Sequence, residues 1–113
     1  MSGTAEIFID HILESIALIE EYTRGKTLDD FEDTVALRDM VFRRLEIIGE
    51  AVKNLPEPIK KQHPEIPWKQ IAGMRDKLIH HYFGVDIGLT WNVVEKELPK
   101  LKECALAIQR ELK

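Results

Sequence analysis

Met74 to Asp86 reads MRDKLIHHYFGVD, an arginine, two histidines and a tyrosine in what the apolar spacing makes the last turns of a helix. On an ideal helix turning ~100° per residue, Met74, Leu78 and Tyr82 fall within about 60° of Ile71, and Arg75 within about 40°. Arg75 therefore belongs to the apolar stripe. An uncompensated buried guanidinium costs on the order of several kcal/mol. Arg75 must then meet a carboxylate, a set of carbonyls or a wet cleft. A salt-bridged structural arginine and an arginine that clamps an anion both satisfy that demand. His80 lies ~140° from Arg75, close in angle to Asp76 four residues earlier. Asp76 can accept a hydrogen bond from one ring nitrogen of His80 and leave the other for proton transfer. An exposed pair at a helix end, where a histidine complements the macrodipole, fits the same spacing. Arg75 and His80 can meet by unwinding of the helix before Gly84, by convergence of long side chains, or across a twofold axis between two chains.

Metal chemistry finds little support in the sequence. Adjacent helical residues point ~100° apart, so His80 and His81 cannot both ligate one ion from a regular helix. His11 and His63 have no partner at a ligand spacing, and the single cysteine, Cys104, excludes a disulfide and a cysteine-based zinc site. There is no glycine-rich phosphate loop and no H-E-x-x-H. Asp29 and Asp30 read as first-turn dipole charges rather than a metal pair. No metal or cofactor is expected.

The elements that must position this stretch are helical. Ile9, Ile12, Ile16 and Ile19 mark a first helix from about Ala5 to Thr23, closed by Gly25. Leu37, Val41, Leu45, Ile48 and Val52 mark a second, roughly Leu28 to Asn54, and Met40, Ile47 and Ala51 widen its apolar arc enough for a core contact and a subunit contact. NLPEPIKKQHPEIPW holds four of the five prolines and is the main linker, with room for a turn of helix at Ile59 to Gln62. Pro67 opens a third helix, Trp68 to about His81, which Gly84 closes. Asp86 caps a short helix through Trp91 and Val94, and Pro99 separates it from a last helix carrying Leu101, Cys104 or Ala105, Ile108 and Leu112. Trp68 and Trp91 suit packing better than base stacking. Residues 1–113 make one all-α domain, most simply an up-down four-helix bundle with a short extra helix.

Composition bounds the rest. With 44% hydrophobic and 32% charged residues, the chain is too apolar for disorder. It has no apolar run of the ~20 residues a membrane span needs and no signal-like N-terminus, so a cytoplasmic protein is expected. The net charge of -4 rules out a whole-surface field for nucleic acid and leaves only a local patch. Candidates are Arg43 and Arg44, Lys60 and Lys61, and Lys69, Arg75 and Lys77, each of which is also readable as a solvated surface charge.

Arg75, four residues, His80, one residue, Tyr82 resembles the R-x4-H-x-Y motif of HepT-like HEPN-domain ribonuclease toxins. LEIIGEAVKNLP (Leu45–Pro56), HPEIPWKQIAGMRDKLIHHYFGVD (His63–Asp86) and TWNVVEKELPKL (Thr90–Leu101) are similar to that family's blocks in the same order. The resemblance implies a homodimeric HEPN bundle with the motif at its interface and metal-independent cleavage of RNA. It also implies an antitoxin partner, a MntA-type nucleotidyltransferase that transfers AMP to the motif tyrosine, here Tyr82. His80 would then exchange a proton with the ribose 2′-OH or the leaving 5′-oxygen, Arg75 would clamp the phosphate, and Asp76 would orient His80. Attack by the 2′-OH predicts RNA and not DNA as substrate. Tyr82 lies about 20° from Arg75 on the ideal helix, so an AMP group there would bring a phosphate to the guanidinium. His81 occupies a variable position and receives no role. A different class of function also fits: a non-catalytic helical subunit of a nucleotidyltransferase complex, in which Arg75 and His80 hold a nucleotide or a partner.

Overall fold

The computed structural model describes residues 3–80 and 86–112, with side chains for all of these except residues 3, 4, 79 and 80. Seven α-helices are described, with no strand among the described residues: α1 Gly3–Thr23, α2 Leu28–Asp33, α3 Val35–Asn54, α4 Glu57–Lys61, α5 Trp68–His80, α6 Ile87–Asn92 and α7 Leu98–Glu111. The all-α expectation holds. The four long helices pack in the spatial order α5, α3, α1, α7. Lys102 reaches Glu20 and Gln109 reaches Asp10, so α7 runs antiparallel to α1.

The isoleucine stripe of α1 is the centre of the core. Ile9, Ile12, Ile16 and Ile19 are all buried, against Val41, Leu45, Ile48 and Val52 of α3 and Leu101, Ala105 and Ile108 of α7. Each fully buried aliphatic side chain contributes roughly 1.5–3 kcal/mol relative to exposure. Gly25, at φ +73°, is the left-handed residue that stops α1.

The expected helix from Leu28 to Asn54 is two helices. Thr34 takes an extended conformation between α2 and α3. Side-chain contacts hold both ends of the short helix α2. The Thr27 backbone N–H donates to Asp30 and the Thr27 hydroxyl accepts from the Asp30 N–H, a closed capping box. The Thr27 backbone N–H, and then the Thr27 side chain, hold the Asp30 carboxyl below its usual range. At the other end of α2, Arg38 donates to the carbonyls of Phe31 and Glu32. Phe31 is fully buried, its ring edge-on to Phe42 at 6.0 Å and tilted on Trp91 at 5.1 Å. A short independent helix lets that ring enter the core at an angle a continuous helix would not allow.

The proline linker forms α4 two residues earlier than expected, Glu57–Lys61. Trp68 fastens it: the indole N–H donates to the carbonyls of Lys60 and His63, at 3.1 and 2.9 Å. Pro67 precedes α5 rather than starting it, and its carbonyl accepts from the Ile71 N–H. Asp86 caps α6 as expected, accepting from the Leu89 N–H at 3.0 Å.

Pro99 does not separate α6 from α7. A π-helical turn, Val93–Glu97, joins them directly, and Pro99 lies in the first turn of α7. A proline ring clashes with the carbonyl four residues before it and lacks an N–H. The wider i→i+5 turn just upstream relieves that clash without ending the helix.

Cys104 is buried in the middle of α7, and burial, then the charges of Glu65 and Glu111, push its thiol up to about 11. The thiolate is the reactive form, so at pH 8 the folded protein carries about a hundredfold less of it than an ordinary thiol would. Thiol-exchange reagents should therefore label the native protein far more slowly than the denatured chain. Equal rates would mean that α7 does not hold Cys104 in the core.

Candidate functional site

The site is built where α3 and α5 come closest. Gly49 makes the approach possible: a Cβ there would stand 2.9 Å from the Arg75 Cβ and 3.1 Å from the Ile71 carbonyl oxygen. Ile71 and Leu78 bury the inner face of α5. Arg75, between them on that face, emerges half-buried at the edge of the helix pair. Its Nε lies 2.7 Å from Glu50 Oε2 in an ion pair, and its Nη1 donates to Asp76 Oδ1 at 3.0 Å. The demand read from the sequence, a carboxylate or a wet cleft, is met on both counts. Arg75 also lines an open groove of about 240 Å³ between α1 and α3, shared with Phe8, His11, Arg43, Glu46 and Glu50.

Electrostatically the groove is balanced. Arg43 pairs with Glu46 at 3.3 Å, and Arg75 is held by two carboxylates. The Arg75 and Glu50 side chains are 31% and 49% exposed, so the pair contributes at most about 1 kcal/mol to stability. Its main effect is orientation. Two edges of the guanidinium are committed, and among the described residues no acceptor is recorded for Nη2. A planar fork held on two sides with one edge open is suited to a phosphate oxygen.

Of the residues singled out in the sequence, Arg75 and Asp76 are brought together. Asp76 serves Arg75 as an acceptor, a partnership that helical angles alone did not suggest. His80 stands five residues after Arg75 at the end of α5. The His80 side chain and the whole of Tyr82 lie outside the described residues, as does His81. Sequence reasoning missed Glu50 and Gly49. Their signal was the GE pair in a helix interior, where glycine costs about 1 kcal/mol relative to alanine and so asks for a packing reason. It also missed His11, which the fold carries to the same groove.

A second cluster has no counterpart in the sequence reading. One donor atom each from His63, Glu65 and Cys104 lies within 4.8 Å of the others. His63 Nδ1 is 3.6 Å from Glu65, and its Nε2 is buried without a hydrogen-bond partner among the described residues. With its thiol pushed up to about 11, Cys104 is a neutral packing group near pH 7.

The all-helical bundle, with Arg75 on α5 at the edge of a groove, is the architecture a HEPN-like domain requires. The chain belongs to the ribonuclease HepT-like family, whose pattern it matches over residues 12–108. It is 50% identical over 102 residues to the "Probable ribonuclease HepT" of Thermococcus cleftensis, covering 90% of this chain and 93% of that one. It is 58% identical over 112 residues to a Methanocaldococcus jannaschii protein named "Gamma-glutamylcyclotransferase and putative RNase". That match takes in 99% of this chain but spans only 50% of the relative's length. A Caldanaerobacter subterraneus protein, also named as an RNase, is 44% identical over 109 residues, with 96% and 97% covered. No solved structure matches the chain significantly. Among the described residues no helix is long and apolar enough to cross a membrane.

Proposed function

We propose that this protein is a metal-independent endoribonuclease and the toxin of a toxin–antitoxin pair. The observation that carries the reading is Arg75 held open-edged at the groove by Glu50 and Asp76, five residues before His80 on the same helix, in a HepT-like chain. In the proposed reaction the ribose 2′-oxygen attacks the adjacent phosphorus and the bond from phosphorus to the 5′-oxygen breaks. The products are a 2′,3′-cyclic phosphate and a 5′-hydroxyl. One proton leaves the 2′-oxygen and one arrives on the 5′-oxygen; His80 handles one of them. A second His80, from a partner copy related by a twofold axis, handles the other. Arg75 neutralises the charge that develops on the non-bridging phosphate oxygens. Because the nucleophile is the RNA's own hydroxyl, no ligated water is required and DNA is not a substrate.

Regulation follows from Tyr82. A MntA-type nucleotidyltransferase antitoxin would direct the Tyr82 phenol oxygen at the α-phosphorus of ATP. Pyrophosphate leaves, the phenol proton is released, and AMP stays on the tyrosine. The new phosphate would compete for Arg75, sterically and by charge, with the phosphate of the RNA.

One observation favours the non-catalytic alternative: two carboxylates already satisfy much of Arg75, as expected of a structural arginine. The deciding experiment is cleavage of total RNA in EDTA by wild type and His80→Ala, with the intact mass of each protein recorded. Cleavage by wild type alone is the expected result. An unmodified wild type that cuts nothing would leave a binding subunit, whereas added AMP masses would identify a neutralised toxin.

A further inference from the structure

One turn along the α3–α5 pair from Arg75, the surface changes sign. Lys53 of α3, Lys60 and Lys61 of α4 and Lys69 of α5 line an open groove of about 500 Å³, with Glu57 as its only acid and Trp68 and Ala72 contributing apolar wall. Four lysines against one glutamate give the groove a net charge of +3 in a chain of -4, so the rest of the chain carries -7. Lys60 is committed, at 3.1 Å from Glu57 and 3.4 Å from the Val52 carbonyl oxygen, and it fixes α4 as the groove's rim. Lys53, Lys61 and Lys69 are exposed and have no ion pair among the described residues. This contrasts with Arg43, Arg75 and Lys102, each of which has a carboxylate partner.

The two grooves are neighbours on one surface. Arg43, Glu46, Glu50 and Lys53 recur at steps of three and four along a single face of α3, the first three beside Arg75 and the last in the lysine groove. On α5, Ala72 precedes Arg75 by three residues and Lys69 by six, roughly 4.5 and 9 Å along the helix axis. We infer that the lysine groove holds the sugar–phosphate backbone of the RNA strand next to the bond that is cut. The inference rests on the ribonuclease reading above and assigns the strand a direction of travel across the protein. Exposed ammonium groups on flexible stems suit phosphates without reading bases. With the rest of the chain at a net -7, this groove is a local basic patch of the kind a polyanion would favour over the bulk of the surface. The Trp68 N–H is engaged by the Lys60 and His63 carbonyls, so the indole stiffens the groove wall and keeps the lysines of α4 facing those of α3 and α5.

The test measures binding of a short RNA made uncleavable by 2′-O-methylation, over a series of salt concentrations. The proteins are wild type, K53A/K61A/K69A, and the control K26A/K96A/K100A, which removes equal charge from exposed lysines outside the groove. Each single-strand phosphate contact contributes about 0.7 to the slope of log affinity against log salt, so loss of three lowers it by about 2. The groove variant is expected to show that change, with an affinity at low salt reduced about tenfold or more, and the control to keep the wild-type slope. Equal slopes in all three proteins overturn the inference, as does an equal fall in both triple variants, which would reflect net charge alone. No RNA binding by wild type also overturns it and would leave the groove to an acidic protein. Cleavage of unmodified RNA is scored separately. A wild type of unmodified mass that binds through the lysines but never cuts therefore sinks the ribonuclease reading and leaves the groove standing.

Discussion

Arg75→Ala should reduce RNA cleavage by at least about a hundredfold, close to 3 kcal/mol of transition-state stabilisation, while leaving the fold intact. The second half of that expectation separates a catalytic arginine from a structural one. Removing one partner of a fully buried ion pair costs 3–5 kcal/mol as a rough guide, because a charge is stranded without water. Here the partners left behind, Glu50 and Asp76, are 49% and 63% exposed and can be solvated. Their loss of Arg75 should change stability by no more than about 1 kcal/mol. Arg75→Lys keeps the charge but cannot hold two carboxylates and a phosphate in one plane, so it should rescue little. The measurement is cleavage rate beside a thermal melt for all three proteins. An unfolded Arg75→Ala, or one that cuts at the wild-type rate, would make the guanidinium a structural brace.

The long helices were legible because their chemistry is local and periodic. Ile9, Ile12, Ile16 and Ile19 of α1 recur at the helical step, and all four are buried. Asp86 is a cap by residue type, and it caps. The reading lost ground where tertiary contacts override the period. Nothing in the spacing around Thr34 announces that Phe31 must turn into the core, and the capping box of Thr27 and Asp30 is satisfied equally by a short helix or a long one. Pro99 reads as a boundary until the turn before it widens. At the site, helical angles placed Arg75 correctly on the apolar face and stated what it needed. They could not say which carboxylate would answer, because Glu50 is on another helix and reaches Arg75 only through the close approach at Gly49. The lysines show the same limit. Each alone is an ordinary surface charge, and only the folding of the proline linker against α3 and α5 gathers them.

Gly49 is where the packing and the chemistry can be tested with one substitution. In a helix interior, Gly→Ala ordinarily gains about 1 kcal/mol. At Gly49 the new methyl would meet the Arg75 Cβ at 2.9 Å, the Ile71 carbonyl oxygen at 3.1 Å and the Arg75 nitrogen at 3.3 Å. None of these is the end of a flexible side chain, so relief requires α5 itself to move. Overpacking of this kind costs roughly 1–3 kcal/mol, enough to cancel the propensity gain or exceed it. Gly49→Val adds a branched side chain and should be worse by a further kcal/mol or more, lowering the melting temperature by about 4 °C per kcal/mol. The effect on cleavage should be larger than the effect on stability. The atom struck belongs to Arg75, and a displacement of about 1 Å at a positioned group can cost a hundredfold in rate. Gly49→Ala is thus expected to remain folded near its wild-type melting temperature and yet cut RNA poorly. A variant that is both more stable and fully active would mean that α3 and α5 have room to spare, and that Arg75 owes its position to Glu50 and Asp76 alone.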